Sequence, residues 1–314
     1  MPTLVTASDA ELLENRFLGP DLGSLFHSAA YHRLHAGDEG LFFEWAVSGQ
    51  VQASIHFSPG ADGLWRSPSR GTFAGYAWRE GCGLDSLFAF HDAVMVRLAA
   101  RGARRVEILT APMAHDAQAF SQQSYLLRSR GFHISRCDLN QDLVLDQRPF
   151  AERISYGNLK RLRKCEREGV VVTALPIDQL PAVYETLAAN RAAKGHTLSM
   201  SLPALADMAA HFPGVMQLFG CQVGAEQAAA ALCLRLSAEV MYVFYWGDRP
   251  GYGQLSPVVL LADAIYSHCR AAGIVQLDVG TSTVDAEPNF GLLQFKRGLG
   301  FTESLKLQFS KDLA

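Results

Sequence analysis

Apolar and polar positions along the chain follow a pattern that occurs twice. An apolar helical stretch opens at Leu84-Asp85-Ser86 and closes at Gly102, ahead of the strand-like Arg105-Val106-Glu107-Ile108-Leu109. A second opens at Leu255-Ser256-Pro257 and closes at Gly273, ahead of Val275-Gln276-Leu277-Asp278-Val279, and the interval from Leu to Gly is the same in both. Each stretch carries an Asp-Ala pair at the same offset, Asp92-Ala93 and Asp263-Ala264. Each also runs through a Leu-Leu pair into Gly-Phe, first at Leu126, Leu127, Gly131 and Phe132, then at Leu292, Leu293, Gly300 and Phe301. A repeat this long indicates duplicated domains and not a solenoid.

The periodicity predicts alternating strands and helices in both halves. In the first half these are a helix over Ser24 to Leu34, strands at Leu41 to Val47 and Val51 to Phe57, and a Gly/Pro/Ser-rich crossing from Trp65 to Gly75. A helix from Asp85 to Arg101 follows, with Asp85 as N-cap and Gly102 as its stop. Strand Arg105 to Thr110, a helix ending near Arg130 and a strand from Asp138 to Leu145 complete the copy. The second half begins with a basic helix from Phe150 to Glu168 and a strand at Val170 to Ala174. Helices Leu180 to Lys194 and Pro203 to His211 come next. Strands Met216 to Val223, Ala228 to Ser237 and Val240 to Trp246 follow, the last two apolar enough for burial on both faces. Ser256 is the expected N-cap of the next helix, with Pro257 at N1. Strand Ile274 to Val279, helix Phe290 to Gly298 and strand Phe301 to Phe309 close the chain. The expected architecture is a mixed α/β fold in two domains, residues 1–147 and 148–314.

Composition fits that division. The 314 residues suffice for two domains that each bury a core. A hydrophobic content of 49% with 19% charged residues is that of an ordinary globular chain. A net charge of −3 and a pI near 6.4 argue against a strongly basic nucleic-acid binder. The stretch Met1 to Arg16 lacks the basic start and apolar core of a signal peptide, and no apolar run approaches the roughly 20 residues that span a bilayer. The 6 cysteines are dispersed without a C-x-x-C pair, which disfavours a zinc site or a disulfide framework. A cytoplasmic location and no metal are the resulting expectations.

The order of strand, glycine-bearing turn, helix, strand, short helix, Gly-Phe and final strand resembles the acyl-CoA N-acyltransferase (GNAT) superfamily. Two such units in tandem, with Leu159-Lys160-Arg161-Leu162-Arg163-Lys164 before Gly169-Val170 and Tyr242-Val243-Phe244-Tyr245 before Ser256-Pro257, resemble its FemAB-like branch. That resemblance implies a transferase whose co-substrate is a coenzyme A thioester and whose acceptor is an amine. Aminoacyl transfer from a charged tRNA to a cell-envelope or exopolysaccharide precursor is the alternative within the branch, and a degenerate, non-catalytic scaffold is a third reading.

Candidate chemistry concentrates in the second copy. Arg249-Pro250-Gly251-Tyr252-Gly253 sets two glycines and a cation just ahead of a helix N-terminus ending the loop at Ser256, where free N–H groups and the helix dipole favour phosphate. It is similar to the R/Q-x-x-G-x-G/A loop that holds the pyrophosphate of coenzyme A, one residue short between Arg249 and Gly251. The first copy retains only Gly81 and Gly83 at this place. Transfer to an amine needs a base for the amine proton and an acid for the leaving thiolate. Asp278, at the C-terminal end of its strand, is the expected base or amine-orienting carboxylate, with Glu287 in reserve. An Asp that caps the loop Gly280 to Ala286 is the plainer role. Many acetyltransferases place a Tyr four residues before the terminal Gly-Phe, where this chain has Lys296. Lys296 is therefore a candidate proton donor or anion holder, and Tyr245 a candidate phenol.

Lys160, Arg161, Arg163, Lys164 and Arg167 set five cations on one helix, either a solvated face balanced by Glu152, Glu166 and Glu168 or a contact for an anionic carrier such as tRNA. No aromatic ladder interleaves them, so no base-stacking platform is indicated. His196 and His268 read as structural. The run Trp65 to Tyr76 suits a loop that shapes the acceptor site.

Overall fold

The computed structural model describes residues 10–313, so most of Met1 to Arg16 lies outside the described residues. The chain divides into two compact units, one of residues 1–138 with 305–314 and one of residues 139–304. The closing residues thus go with the first unit.

The first unit contains β1 (Ala10–Glu14), α1 (Ala29–His35), β2 (Leu41–Val47), β3 (Gln50–Pro59), β4 (Leu64–Ser67), β5 (Ala77–Trp78), α2 (Leu84–Ala100), β6 (Arg105–Leu109), α3 (Ala117–Ser129) and the start of β7 (His133–Val144). The second contains the end of β7, then α4 (Tyr156–Arg167), β8 (Val171–Leu175), α5 (Leu180–Ala192), α6 (Leu202–His211), β9 (Met216–Val223), β10 (Glu226–Arg235), β11 (Val240–Asp248), α7 (Pro257–Ala271) and β12 (Gln276–Thr281). A two-residue hairpin of β13 (Thr283–Val284) and β14 (Glu287–Pro288), then α8 (Phe290–Gly298) and β15 (Thr302–Asp312), complete the order. The duplicated stretches are α2–β6–α3–β7 and α7–β12–α8–β15.

Each unit is built on a mixed sheet. In the first the order is β1-β2-β3-β4-β6-β15, with β5 beside β3, and only β4 and β6 run parallel. In the second it is β7-β12-β11-β10-β9-β8, and only β11 and β12 run parallel. β10 is buried along nearly its whole length, as its run of alanines and leucines predicts. α7 buries Val259, Leu261, Ala262, Ile265, Tyr266 and Cys269 among Phe219, Ala229, Ala231 and Val243. At roughly 1.5–3 kcal/mol for each large apolar side chain, that stripe fixes the helix and the loop that leads into it.

Several boundaries depart from the sequence reading for local reasons. The expected helix Ser24 to Leu34 breaks at Ser28, whose Oγ accepts the Tyr31 N–H at 3.1 Å and starts α1 afresh. The basic helix begins at Tyr156, where Ser155 caps it by accepting from the Asn158 N–H. Asp85 is not an N-cap: Gly83 holds that position, and Asp85 sits in the first turn of α2, where its charge meets the positive end of the dipole. Nor does the Ser256 side chain cap α7. Three successive turns, Tyr252 N to Arg249 O, Leu255 N to Tyr252 O and Ser256 N to Gly253 O, wind the loop. They leave Ser256 left-handed (φ 53°, ψ 50°), with its Oγ donating back to the Gly253 carbonyl.

Candidate active site

β11 and β12 pair only at Val240/Gln276, Met241/Leu277 and Tyr242/Asp278, after which β11 runs on to Asp248 paired with β10 alone. The edge of β11 that faced β12 is thereby left without a strand partner along one side of a wedge. β11 is irregular at the same level: its pairing with β10 skips Phe244, so that Tyr245 faces Leu232 and Val243 faces Cys233. Such a bulge re-aims the strand and increases its twist. Tyr245, Asp278 and Lys296 border this wedge, from β11, β12 and α8.

Asp278 is fully enclosed. Its Oδ1 accepts from Asn140 Nδ2 at 3.0 Å and from the Gly280 N–H at 2.6 Å, so this carboxylate also shapes the turn that follows β12. Gly280 has φ +73°, and a Cβ there would stand 3.2 Å from the Tyr242 hydroxyl, so glycine is required on both counts. Polar side chains continue along β7 and β12. Gln276 Nε2 donates to Asp142 Oδ2 at 2.9 Å, Ser304 Oγ to Asp142 Oδ1 at 3.3 Å, and Ser282 Oγ to Gln141 Oε1 at 2.5 Å. A buried polar network of this extent is sustained only if its members are paired.

Lys296 reaches the wedge from α8 with 2% of its surface exposed. Its Nζ donates to the Gly280 and Thr281 carbonyls, both at 2.9 Å, leaving a third N–H. Burial pulls its pKa down to about 7, against the pull of the Asp278 carboxylate, and Arg191 lowers it further. An ammonium poised near neutrality is suited to proton transfer at physiological pH.

Tyr245 is held by the segment after α5: its hydroxyl hydrogen-bonds Ser199 Oγ and accepts the Met200 N–H at 3.1 Å. Burial raises its pKa, which keeps the phenol protonated. Glu287 does not join this group; it lies exposed in β14. His196 is exposed in the loop after α5, and His268 packs on Phe219 from within α7.

The glycine loop precedes α7 in the same unit. Gly251 takes φ +99° with open space where a Cβ would stand, so the backbone is left-handed and approachable. Arg249 spends its guanidinium on exposed Glu185 at 2.9 Å, a surface pair of little net strength. From α4, Lys164 Nζ donates to the Gln254 carbonyl at 3.1 Å, and Cys165 Sγ contacts the Leu255 carbonyl at 3.0 Å. One cation of the basic helix is therefore built into the loop, while Lys160, Arg161, Arg163 and Arg167 remain exposed. The helix does carry one aromatic contact, Lys160 over Tyr156. In the first unit Phe73, Ala74 and Tyr76 of the Trp65 to Tyr76 run are buried, with the Tyr76 hydroxyl 2.7 Å from His91 Nδ1, so these side chains belong to that unit's interior.

Sequence reading missed Asn140, Asn190 and Arg191. The signal for Asn140 was present: Asn140-Gln141-Asp142 places three successive polar residues inside a strand, a pattern that only a buried network explains. Asn190 fixes the end of α5, its Nδ2 donating to the Asp248 carbonyl at 2.7 Å and to Asp248 Oδ1 at 3.1 Å. Among the described residues no group of three or more His, Cys, Asp or Glu is arranged to hold a metal ion. Among the same residues no helix is long and apolar enough to cross a membrane.

Residues 156–297 match the family model described as an acetyltransferase (GNAT) domain. Among solved structures, FemX superposes with a TM-score of 0.72 at 13% identity over 93% of each chain. L-PGS from Bacillus licheniformis superposes with a TM-score of 0.59 at 12% identity, over 88% of this chain and 85% of that one. A tandem GNAT protein from the clavulanic acid biosynthesis pathway gives 0.51 at 12% identity, over 96% and 98%. No curated protein sequence matches.

Proposed function

Because residues 156–297 match an acetyltransferase (GNAT) domain and the fold superposes on that of FemX, we propose that the protein is an acyltransferase that moves an acyl group from a coenzyme A thioester to an amine acceptor, in the C-terminal copy. The observation that carries this reading is the parting of β11 from β12 after Tyr242 and Asp278, with a near-neutral buried lysine at the wedge and a left-handed glycine loop in the same unit. Unpaired backbone beside the wedge offers hydrogen bonds to an extended thioester arm. The loop and the start of α7 offer N–H groups to a pyrophosphate, with Arg249 and Lys164 as flanking cations. The open space beside Gly251 fits a phosphate at the backbone.

The reaction forms a bond from the amine nitrogen to the acyl carbon and breaks the bond from that carbon to sulfur. The amine nitrogen loses one proton to solvent and the sulfur gains one from Lys296, which solvent then reprotonates. Lys296 is assigned as the proton donor to the leaving thiolate, through the N–H not committed to Gly280 and Thr281. Asp278 sustains the charged form of Lys296 and, through Gly280, holds the turn to which that lysine binds. Tyr245 keeps its proton and anchors Ser199 and Met200 beside the site. No chemistry is assigned to the first copy.

Calorimetric titration with coenzyme A and acetyl-CoA tests the donor. Micromolar binding that weakens in Gly251→Val supports the reading, and no binding at millimolar ligand refutes it. A second reading, with aminoacyl-tRNA as donor, is favoured by one observation: the exposed cations of α4 adjoin the loop through Lys164. It requires tRNA affinity that falls steeply with salt and is lost on neutralising Lys160, Arg161 and Arg163.

A further inference from the structure

The guanidinium of Arg191 has no hydrogen-bond or ion-pair partner among the described residues, although it is half-buried in the last turn of α5. Its position is tightly defined. The neighbouring Asn190 is pinned to the end of β11, and the Arg191 carbonyl accepts the N–H groups of Lys194 at 3.0 Å and His196 at 2.9 Å, closing the helix. α5 packs on β10 and β11, the strand that carries Tyr245. The positive charge of Arg191 is felt by two groups at the wedge, the Lys296 ammonium and the Tyr245 hydroxyl.

Half of the half-buried arginines have a carboxylate partner, Arg130 and Arg136 among them. Arg153 binds Asp146, and Arg249 binds Glu185. A guanidinium left without a protein anion beside a polar site can take one from a ligand, because its planar fork matches a carboxylate in two parallel hydrogen bonds. The size of the missing charge follows from the neighbours. Arg191 contributes one positive charge, Asp278 one negative, and Lys296 a fraction of one at neutral pH. The balance left is a fraction of one positive charge, so a single negative charge, as on a carboxylate, matches it better than a phosphate dianion.

Building on the acyltransferase reading, we propose that Arg191 binds a carboxylate of the acceptor, so that the amine acylated by this protein belongs to an amino acid or to a peptide with a free carboxylate. The pair of groups on such a molecule, one anion and one nucleophilic nitrogen a few bonds apart, matches an anion-binding guanidinium beside a proton-transfer group. Ordering the acceptor through its carboxylate aims the amine without drawing on the catalytic lysine.

The test follows the Nε–H resonance of Arg191 by NMR in the full-length protein, assigned by its loss in Arg191→Lys. The probes are the common L-amino acids, a short peptide with a free C-terminus, the corresponding carboxamides, and O-phosphoethanolamine, each with and without saturating coenzyme A. A saturable shift with a carboxylate probe, at least ten-fold weaker with its carboxamide and absent in Arg191→Gln, is the expected result. No shift with any probe, equal shifts from carboxylates and carboxamides, or a shift from O-phosphoethanolamine alone each overturns the proposal. Steady-state kinetics supply the second arm: Arg191→Gln is expected to raise KM for the carboxylated acceptor more than ten-fold with a smaller change in kcat. Equal loss with neutral amines would make Arg191 merely structural. Coenzyme A titrated into the same sample reports the donor site independently, so failure of the donor reading is seen without reference to Arg191.

Discussion

The two copies share an order of elements and differ at one register position. In the second, the parallel pair β11 and β12 sets Tyr242 opposite Asp278 and then opens. In the first, the parallel pair β4 and β6 sets Arg66 opposite Glu107, and Arg66 neutralises that carboxylate with bonds of 3.1 and 2.9 Å. The first copy does not open afterwards. The chain leaves β4, returns at Ala74 to bridge Thr110, and the Ala74 N–H donates to the Leu109 carbonyl at 2.8 Å. Gln123 fills what remains: its Oε1 accepts the Tyr76 N–H at 2.8 Å and leaves no room for a side chain at Gly75. The residue four before Gly-Phe is Lys296 in one copy and fully buried Leu127 in the other. The duplicated frame is thus kept in both copies, while the wedge that is open in the second is filled in the first by its own polypeptide.

Paired substitutions put that contrast at risk. The largest effect is expected from Lys296→Met, which should lower kcat by about 10²- to 10⁴-fold with coenzyme A affinity retained. The matching Leu127→Met should leave turnover unchanged and cost less than about 1.5 kcal/mol of stability. Equal kcat in Lys296→Met and the parent protein would remove the lysine from the chemistry.

Acid should separate the units next. Burial holds His27, His56 and His91 down to about 4 and His32 to about 3, all in the first unit. These imidazoles fold neutral, so their contribution is complete above the unfolded value near 6.5 and is lost as pH falls towards 4. With each ten-fold difference in proton affinity worth about 1.4 kcal/mol, acidification to pH 5 should remove about 2 kcal/mol per histidine. Hydrogen exchange resolved by unit should show residues of the first unit opening first; simultaneous opening of both would count against this.

For the donor loop, Gly251→Ala should weaken coenzyme A binding at least ten-fold. Gly81→Ala, which carries the same kind of strain at φ +87° with equally open space, should change only stability, by about 1–2 kcal/mol. Matching losses of affinity in both would dissociate the loop from the donor.

The mildest change is expected from Asp278→Asn. It retains an oxygen for Gly280 and Asn140 but removes the charge that sustains protonated Lys296. The alkaline limb of the rate profile should move from about 7 to lower pH, whereas Glu107→Gln should leave it in place. An unmoved limb in Asp278→Asn would uncouple the two groups.

Much of the frame was legible in the sequence because the duplicated spacing encodes it. β2, β9 and α8 begin and end where the hydrophobic pattern puts them, and Lys296 stood out by replacing an expected tyrosine. What was not legible depends on contacts distant in sequence. Ser256 looks like a cap until three turns wind it left-handed, and Asn140 meets Asp278 across 138 residues. Arg191 is an ordinary helix residue by pattern; its interest comes from lacking a partner, which no spacing reveals.

The division of β15 bears on how the protein is made. Its residues 308–312 pair with β6, and Arg105 Nε bonds Ser310 Oγ across 205 residues. At about 5–20 residues per second, β6 leaves the ribosome roughly 10 to 40 s before its neighbouring strand is synthesised. Through that interval one side of β6 is a bare strand edge, open to pairing with another nascent chain. The N-terminal unit is therefore the first translated and the last completed.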